Sequence, residues 1–208
     1  MLIKLEDRGI IISNLHTNLY YAVIRVKLKE EFHLILNHTI EALLDRRSIR
    51  AYRSEQISEE ELTDILQTAR FAPSTMGLQA RHFTVIQNKQ LIADIVTAAT
   101  KNGAKYLPGH IPFYNAPTII VLSAPLAAKY GREDAACAIM SLMLAAHAYN
   151  LGSCYICSVL DGLRDEEIMK KLKLPNEYIP LGCIAVGYPS EHAPTPKERR
   201  TDDTNYIR

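Results

Sequence analysis

The chain of 208 residues has almost no net charge, with 24 lysines and arginines against 23 aspartates and glutamates, a formal balance of +1. That balance gives no global attraction to nucleic acid or to an acidic membrane, so any basic function must be local. No apolar run comes near the roughly 20 residues that a membrane-spanning helix needs, because the longest candidates carry His147 or end in Gly and Pro. Four motifs are missing: Gly-x-Gly-x-x-Gly, the Walker loop, the Gly-x-Ser-x-Gly elbow and the His-Glu-x-x-His zinc helix. Four common enzyme classes lose their support with them. Cysteine is scarce: Cys137, Cys154, Cys157 and Cys183 lie in or near apolar segments, and no secretory signal points to an oxidising compartment. They read as reduced, buried thiols of a cytoplasmic protein. Cys154 and Cys157 spell C-x-x-C, but three residues apart in a strand they face opposite ways and cannot readily share a disulfide or a metal.

What is present is a chain that is 48% hydrophobic, enough to bury a full core in one domain. Residues 1–36 mix short apolar runs with a charged Lys27-Leu28-Lys29-Glu30-Glu31 and read as an N-terminal extension without an assignable place. Residues 37–208 read as a single domain. Ile40, Leu43 and Leu44 predict a short helix running into an arginine cluster. Ser58 and Glu61 form a capping box ahead of the stripe Leu62, Ile65, Leu66 and Ala69, with Pro73 as the stop. Strands are expected over 82–86, 118–122, 154–159 and 181–186, helices over 91–99, 132–149 and 164–173, and a loop over 103–117 in which Phe113-Tyr114 could cover something flat. The helix over 132–149 is apolar on nearly all sides, so it should be the core helix, with its second face free for a subunit interface. Helices and strands interleave from residue 39 onward, which argues one α/β or α+β domain with a mixed central sheet and long packed helices.

The chemistry is concentrated in Arg46-Arg47-Ser48-Ile49-Arg50-Ala51-Tyr52. Arginine presents a planar fork matched to phosphate or carboxylate oxygens, and Ser48 adds a hydroxyl. If this segment closes the helix, Arg46 and Arg50 share one face and one phosphate could sit between them. The blander alternative is a solvated arginine run favoured by the helix dipole. A nucleic-acid patch is a weaker alternative, because aromatic residues do not interleave the basic ones.

Several ordered segments together resemble the FMN-dependent nitroreductase family and cover most of residues 39–200. They are Arg46-Arg47-Ser48-Ile49-Arg50, then Ala72-Pro73-Ser74 with Gln79 and the strand after it. Leu144-Ala145-Ala146-His147 follows, with Leu151-Gly152-Ser153-Cys154-Tyr155, and finally Gly187-Tyr188-Pro189 with a basic tail. The resemblance implies an α+β, three-layer nitroreductase-like fold and a homodimer with FMN at the subunit interface. It also implies ping-pong hydride transfer from NADH or NADPH to a small-molecule acceptor, a nitroaromatic, quinone or related compound. By the same resemblance Arg46, Arg47, Ser48 and Arg50 contact the phosphate and ribityl region, and Lys197 and Arg199 close on the phosphate, with Arg200 as a shifted alternative. Pro73, Ser74, Gly77 and Gln79 run along the flavin's polar edge, and the backbone near Cys157 and Ser158 faces the reactive side, with no catalytic side chain and no metal. The sequence departs from the pattern at Gly77, where asparagine is common, at Ala80, where proline is usual, and at Ser141 and Asn150. A flavin-binding or sensing protein without turnover shares every phosphate contact, and a specialised dehydrogenase, dehalogenase or flavin-fragmenting member fits as well.

Overall fold

The computed structural model describes residues 37–208, so the expectation for residues 1–36 lies outside the described residues. The chain divides between Asp45 and Arg46, and the two parts are described separately. The described end of the first part is helix α1 (His38–Asp45), whose Ile40 N–H donates to the Asn37 side chain at 3.0 Å.

The second part is built on four strands, β1 (His82–Ile86), β2 (Thr118–Pro125), β3 (Gly152–Ile156) and β4 (Tyr178–Gly187), in the order β1-β2-β4-β3. Every neighbouring pair is antiparallel; among the described residues, one isolated bridge, between Ser48 and Ser153, is parallel. β2 earns its central place through an unbroken apolar run, which suits a strand covered on both faces, and seven of its eight residues are buried. Side chains alternate along each strand. Ile119, Val121, Cys183 and Ala185 therefore meet Ile95, Leu163 and Ile168 on one face. Ile120, Leu122, Ile184 and Val186 meet Leu62, Ile65, Ile139 and Leu142 on the other. The first face is covered by α3 (Lys89–Lys101), α5 (Leu160–Leu163) and α6 (Glu166–Leu172), the second by α2 (Glu59–Arg70) and α4 (Gly131–Ala148). Each Ile or Leu so buried contributes about 1.5–3 kcal/mol, and the result is three layers.

Local signals place the ends. The capping box forms as spelled, with Glu61 N–H donating to Ser58 Oγ at 3.1 Å and Ser58 N–H donating to Glu61 Oε2 at 2.9 Å. The helix expected over 164–173 is α6, and the separate short α5 precedes it. Asp165 accepts the Glu167 N–H at 3.0 Å and starts α6 afresh, and Lys173 ends it in the left-handed region at φ 51°. β3 starts and stops earlier than expected, because Cys157 to Val159 turn away into α5. Two of the four thiols differ from the buried reading: Cys137 and Cys157 are exposed, Cys154 and Cys183 buried, and all four are free. Cys137 lies on the outward side of α4, beside Ala136 and Met140, and Cys157 has already left the sheet. No helix among the described residues is long and apolar enough to cross a membrane.

Candidate functional site

The arginine segment is not helical. α1 ends at Asp45, and the chain then runs along the outer edge of β3, where Ile49 N–H donates to the Ser153 carbonyl at 3.0 Å. The free edge of β3 offers backbone partners that a continued helix would forgo, so Arg46 and Arg50 do not share a helix face. Ile49 is buried directly over Gly152, where an added Cβ would sit 2.8 Å from Ile49 Cγ2. Only glycine lets the segment lie so close.

This anchoring leaves Arg46 in an unusual state. Its guanidinium is half-buried, and Nε and Nη1 are buried with no hydrogen-bond partner. Burial holds its pKa below the usual value, Arg47 and, least, Arg199 push the same way, and Cys154 opposes them. Arg47 lies alongside, its Nη1 donating to the Arg46 carbonyl at 2.8 Å. A buried, unpaired cation among like charges is costly unless an anion joins it. The local chemistry therefore fits a phosphate, which would accept from Nε and Nη1 and offset the repulsion. Beneath this group Cys154 is a buried thiol whose pKa burial pushes up, against the opposing pull of Arg50 and Arg46.

The tail reaches the same place because it is zipped to the arginine segment. Arg53 N–H donates to Tyr188 O at 2.9 Å, Ser190 N–H to Ala51 O at 3.0 Å, and the Arg50 N–H to the Glu191 carboxylate. Tyr52 is buried under this ribbon and donates to Ile49 O at 2.7 Å. Lys197 and Arg199 follow as exposed residues. Arg199 is the tail cation whose charge acts on Arg46, whereas Arg200 pairs with Asp202 at 3.0 Å. Arg50 points elsewhere: its guanidinium lies 5.9 Å from the centre of the Tyr114 ring. The two line a cleft of about 390 Å³ with Tyr52, His110, Ile111 and Ser190.

The Pro73–Gln79 loop is held differently, through its own backbone. Gly77 N–H donates to Ser74 O at 2.9 Å, Leu78 N–H to Thr75 O at 3.0 Å, and Gln79 N–H to Ser74 Oγ at 2.9 Å. Arg81 closes the base by donating to the carbonyls of Arg70, Ala72 and Pro73 at 2.8, 2.7 and 3.0 Å. Asp134 at the start of α4 grips Thr75. Met76, Gly77 and Gln79 all have positive φ, and Phe71, Met76 and Leu78 are 83%, 89% and 66% exposed.

At the end of β3, Cys157 and Ser158 form an exposed turn, and the Tyr106 hydroxyl donates to Ser158 O at 3.0 Å. Tyr106, His110 and Tyr114 then make a ladder, with ring centres 5.7 and 5.6 Å apart, ending beneath Arg50. Phe113 turns inward into the core at 2% exposure rather than outward as a cover. The structure thus brings Arg46, Arg47 and Ser48 to the β3 edge with the Arg199 end of the tail. The 73–79 loop and the 157–158 turn are separate segments. Sequence reasoning passed over Asp134, Glu191 and Arg81, took Cys154 only as a buried thiol, and took Tyr114 only as a possible cover. Only Tyr114 carried a signal, as part of an aromatic pair in a loop.

Residues 43–188 match the sequence profile of the Nitroreductase family. A Methanothermobacter thermautotrophicus protein provisionally named NADH dehydrogenase/NAD(P)H nitroreductase is 28% identical over 160 residues, covering 75% of this chain and 80% of its own. The FMN reductase (NADPH) of Bacillus subtilis is 25% identical over 173 residues, covering 74% of this chain and 67% of its own. Among solved structures, a nitroreductase with bound FMN from Bacteroides fragilis superposes with a TM-score of 0.73 at 29% identity, covering 83% of this chain and 99% of its own.

Proposed function

This chain belongs to the nitroreductase family, and we propose that it is an FMN-dependent oxidoreductase that uses NADH or NADPH to reduce a nitroaromatic, quinone or related small-molecule acceptor. Bound FMN supplies the two-electron redox chemistry, and the chain supplies binding and orientation. The observation that carries this reading is Arg46, whose buried Nε and Nη1 lack partners while Arg47 and Arg199 crowd it with like charge. On this reading Arg46, Arg47, Lys197 and Arg199 hold the phosphate, and Ser48 and Arg50 serve the ribityl end. Backbone groups of Pro73, Ser74, Gly77 and Gln79 line the polar edge of the ring. Backbone N–H groups around Cys157 and Ser158 lie at its reactive edge, so no side chain has to act as nucleophile or base.

The working unit on this reading is a cytoplasmic homodimer, with residues 37–208 as the flavin-binding domain and residues 1–36 as an extension to it. The outward Ala136, Cys137 and Met140 of α4, and the exposed Phe71, Met76 and Leu78, support a second copy as the cover for these apolar groups. The test is anaerobic titration of the FMN-loaded protein with NADH and then NADPH. The expected result is loss of the yellow absorbance with at least one donor and its recovery when a nitroarene or quinone is added. Flavin that stays bound and unbleached with both donors would sink the enzyme reading and leave a flavin-binding protein.

A further inference from the structure

Besides its backbone turns and the Arg81 contact at its base, the Pro73–Gln79 loop has two side-chain latches of different origin. One is local, the Gln79 N–H donating to Ser74 Oγ at 2.9 Å. The other comes from 59 positions away: the Asp134 carboxylate accepts the Thr75 N–H at 2.9 and 3.1 Å and the Thr75 hydroxyl at 3.1 Å. Beyond Thr75 the backbone takes φ values of 52° at Met76, 68° at Gly77 and 52° at Gln79. Non-glycine residues keep such angles only where the surroundings over-determine them. Burial within the single chain does not explain them, because Met76 and Leu78 are exposed there. The fold therefore holds an outward-facing, strained loop in one shape from an anchor that cannot drift: Asp134 sits in the first turn of α4, next to Ala135, Ala138 and Ile139 in the core. The helix start itself favours a carboxylate there.

We propose that Asp134 is a positioning residue for the flavin ring: through Thr75 it sets the shape of the 73–79 backbone and hence the affinity for the isoalloxazine, independently of the phosphate site. The inference rests on the FMN reading above. It assigns ring affinity and phosphate affinity to separate parts of the chain, and riboflavin, which has the ring without the phosphate, tells them apart.

The experiment measures dissociation constants for FMN and riboflavin by flavin fluorescence, together with the visible circular dichroism of the bound flavin, in wild type, Asp134→Ala, Thr75→Val and Thr75→Ser. Asp134→Ala should weaken both flavins by about tenfold, as loss of charge-assisted bonds predicts, with their ratio unchanged. Thr75→Val keeps the N–H and loses the hydroxyl, so both should weaken by about threefold, and Thr75→Ser should restore wild-type affinity and the wild-type dichroic band. Affinities of Asp134→Ala within about twofold of wild type, or weakening of FMN alone, would overturn the inference. If far-ultraviolet dichroism shows Asp134→Ala unfolded, the Thr75 pair decides the matter, and a Thr75→Val protein that binds both flavins as wild type does overturns it. Wild-type protein that binds neither flavin overturns the cofactor reading and this inference together.

Discussion

The Arg46 segment and the Pro73–Gln79 loop are prepared for contact in opposite ways. At Arg46 the backbone is relaxed and paired with β3, while the side chain is left wanting: half-buried, pressed by like charges and short of two hydrogen bonds. In the loop the polar groups bond to one another and to Asp134 and Arg81, while the backbone carries the strain and the apolar side chains face outward. The first arrangement selects by charge. The second selects by shape, since a fixed run of backbone can present donors and acceptors without any particular side chain. A ligand with an anionic end and a flat polar-edged end would use both, and each should be separable from the other.

Three changes would break or sharpen that contrast. The largest effect is expected from Arg46→Ala, which should weaken FMN by about 100-fold, the ~3 kcal/mol typical of charge-assisted bonds, and leave riboflavin unchanged in a fluorescence titration. Equal loss for both flavins would mean that the two regions are one site. Gly152→Ala comes next. Its Cβ would press on Ile49 at 2.8 Å, and overpacking of about 1–3 kcal/mol would appear as a lower melting temperature and a roughly tenfold weaker FMN complex. A pure stability loss with unchanged FMN affinity would show that the clamp tolerates movement of its base. The smallest effect serves as a control outside both regions. The Glu61 carboxyl is held below its ordinary 4.5, first by the Tyr188 hydroxyl and also by the Ser58 N–H. A depressed carboxylate contributes stability above its unfolded value that is lost as pH falls through the folded one. Glu61→Gln should therefore flatten the stability loss below about pH 4.5 in acid titrations, with both flavin affinities at neutral pH unmoved.

Periodic and contiguous signals carried over from sequence to structure. The Ser58 box caps α2 with both reciprocal bonds, and the apolar run Thr118 to Leu122 lies in the buried central strand β2. The stripe of α4 packs Ile139 and Leu142 inward while leaving Met140 outside. Signals that depend on a distant partner did not carry over. Arg46 to Tyr52 resemble a helix end by composition, yet the unpaired edge of β3 claims them, and nothing near residue 46 encodes Ser153. Asp134 is unremarkable as an acid in a first helical turn, a common place for one, and only its contact with Thr75 distinguishes it. Glu191 is hidden in a polar tail, although its carboxylate takes the Arg50 N–H across 141 positions. The exposed Cys157 was misjudged because the strand was carried past its end at Ile156 to residue 159.

The pairing of residues 50–53 with 188–191 also has a consequence in time. A chain made from its N-terminus exposes Arg46 and Arg47 early, but Glu191 and Arg199 emerge only after β4 has been synthesised. Loops that close over so long a span form late, because closure entropy must be met before the contact returns anything. The 73–79 loop, latched by Ser74 and by Asp134, has all its partners before β4 is made. On the reading proposed above, cofactor capture at the arginine end therefore waits for the tail, so nascent chains halted before residue 188 should carry a formed 73–79 loop and an open arginine end.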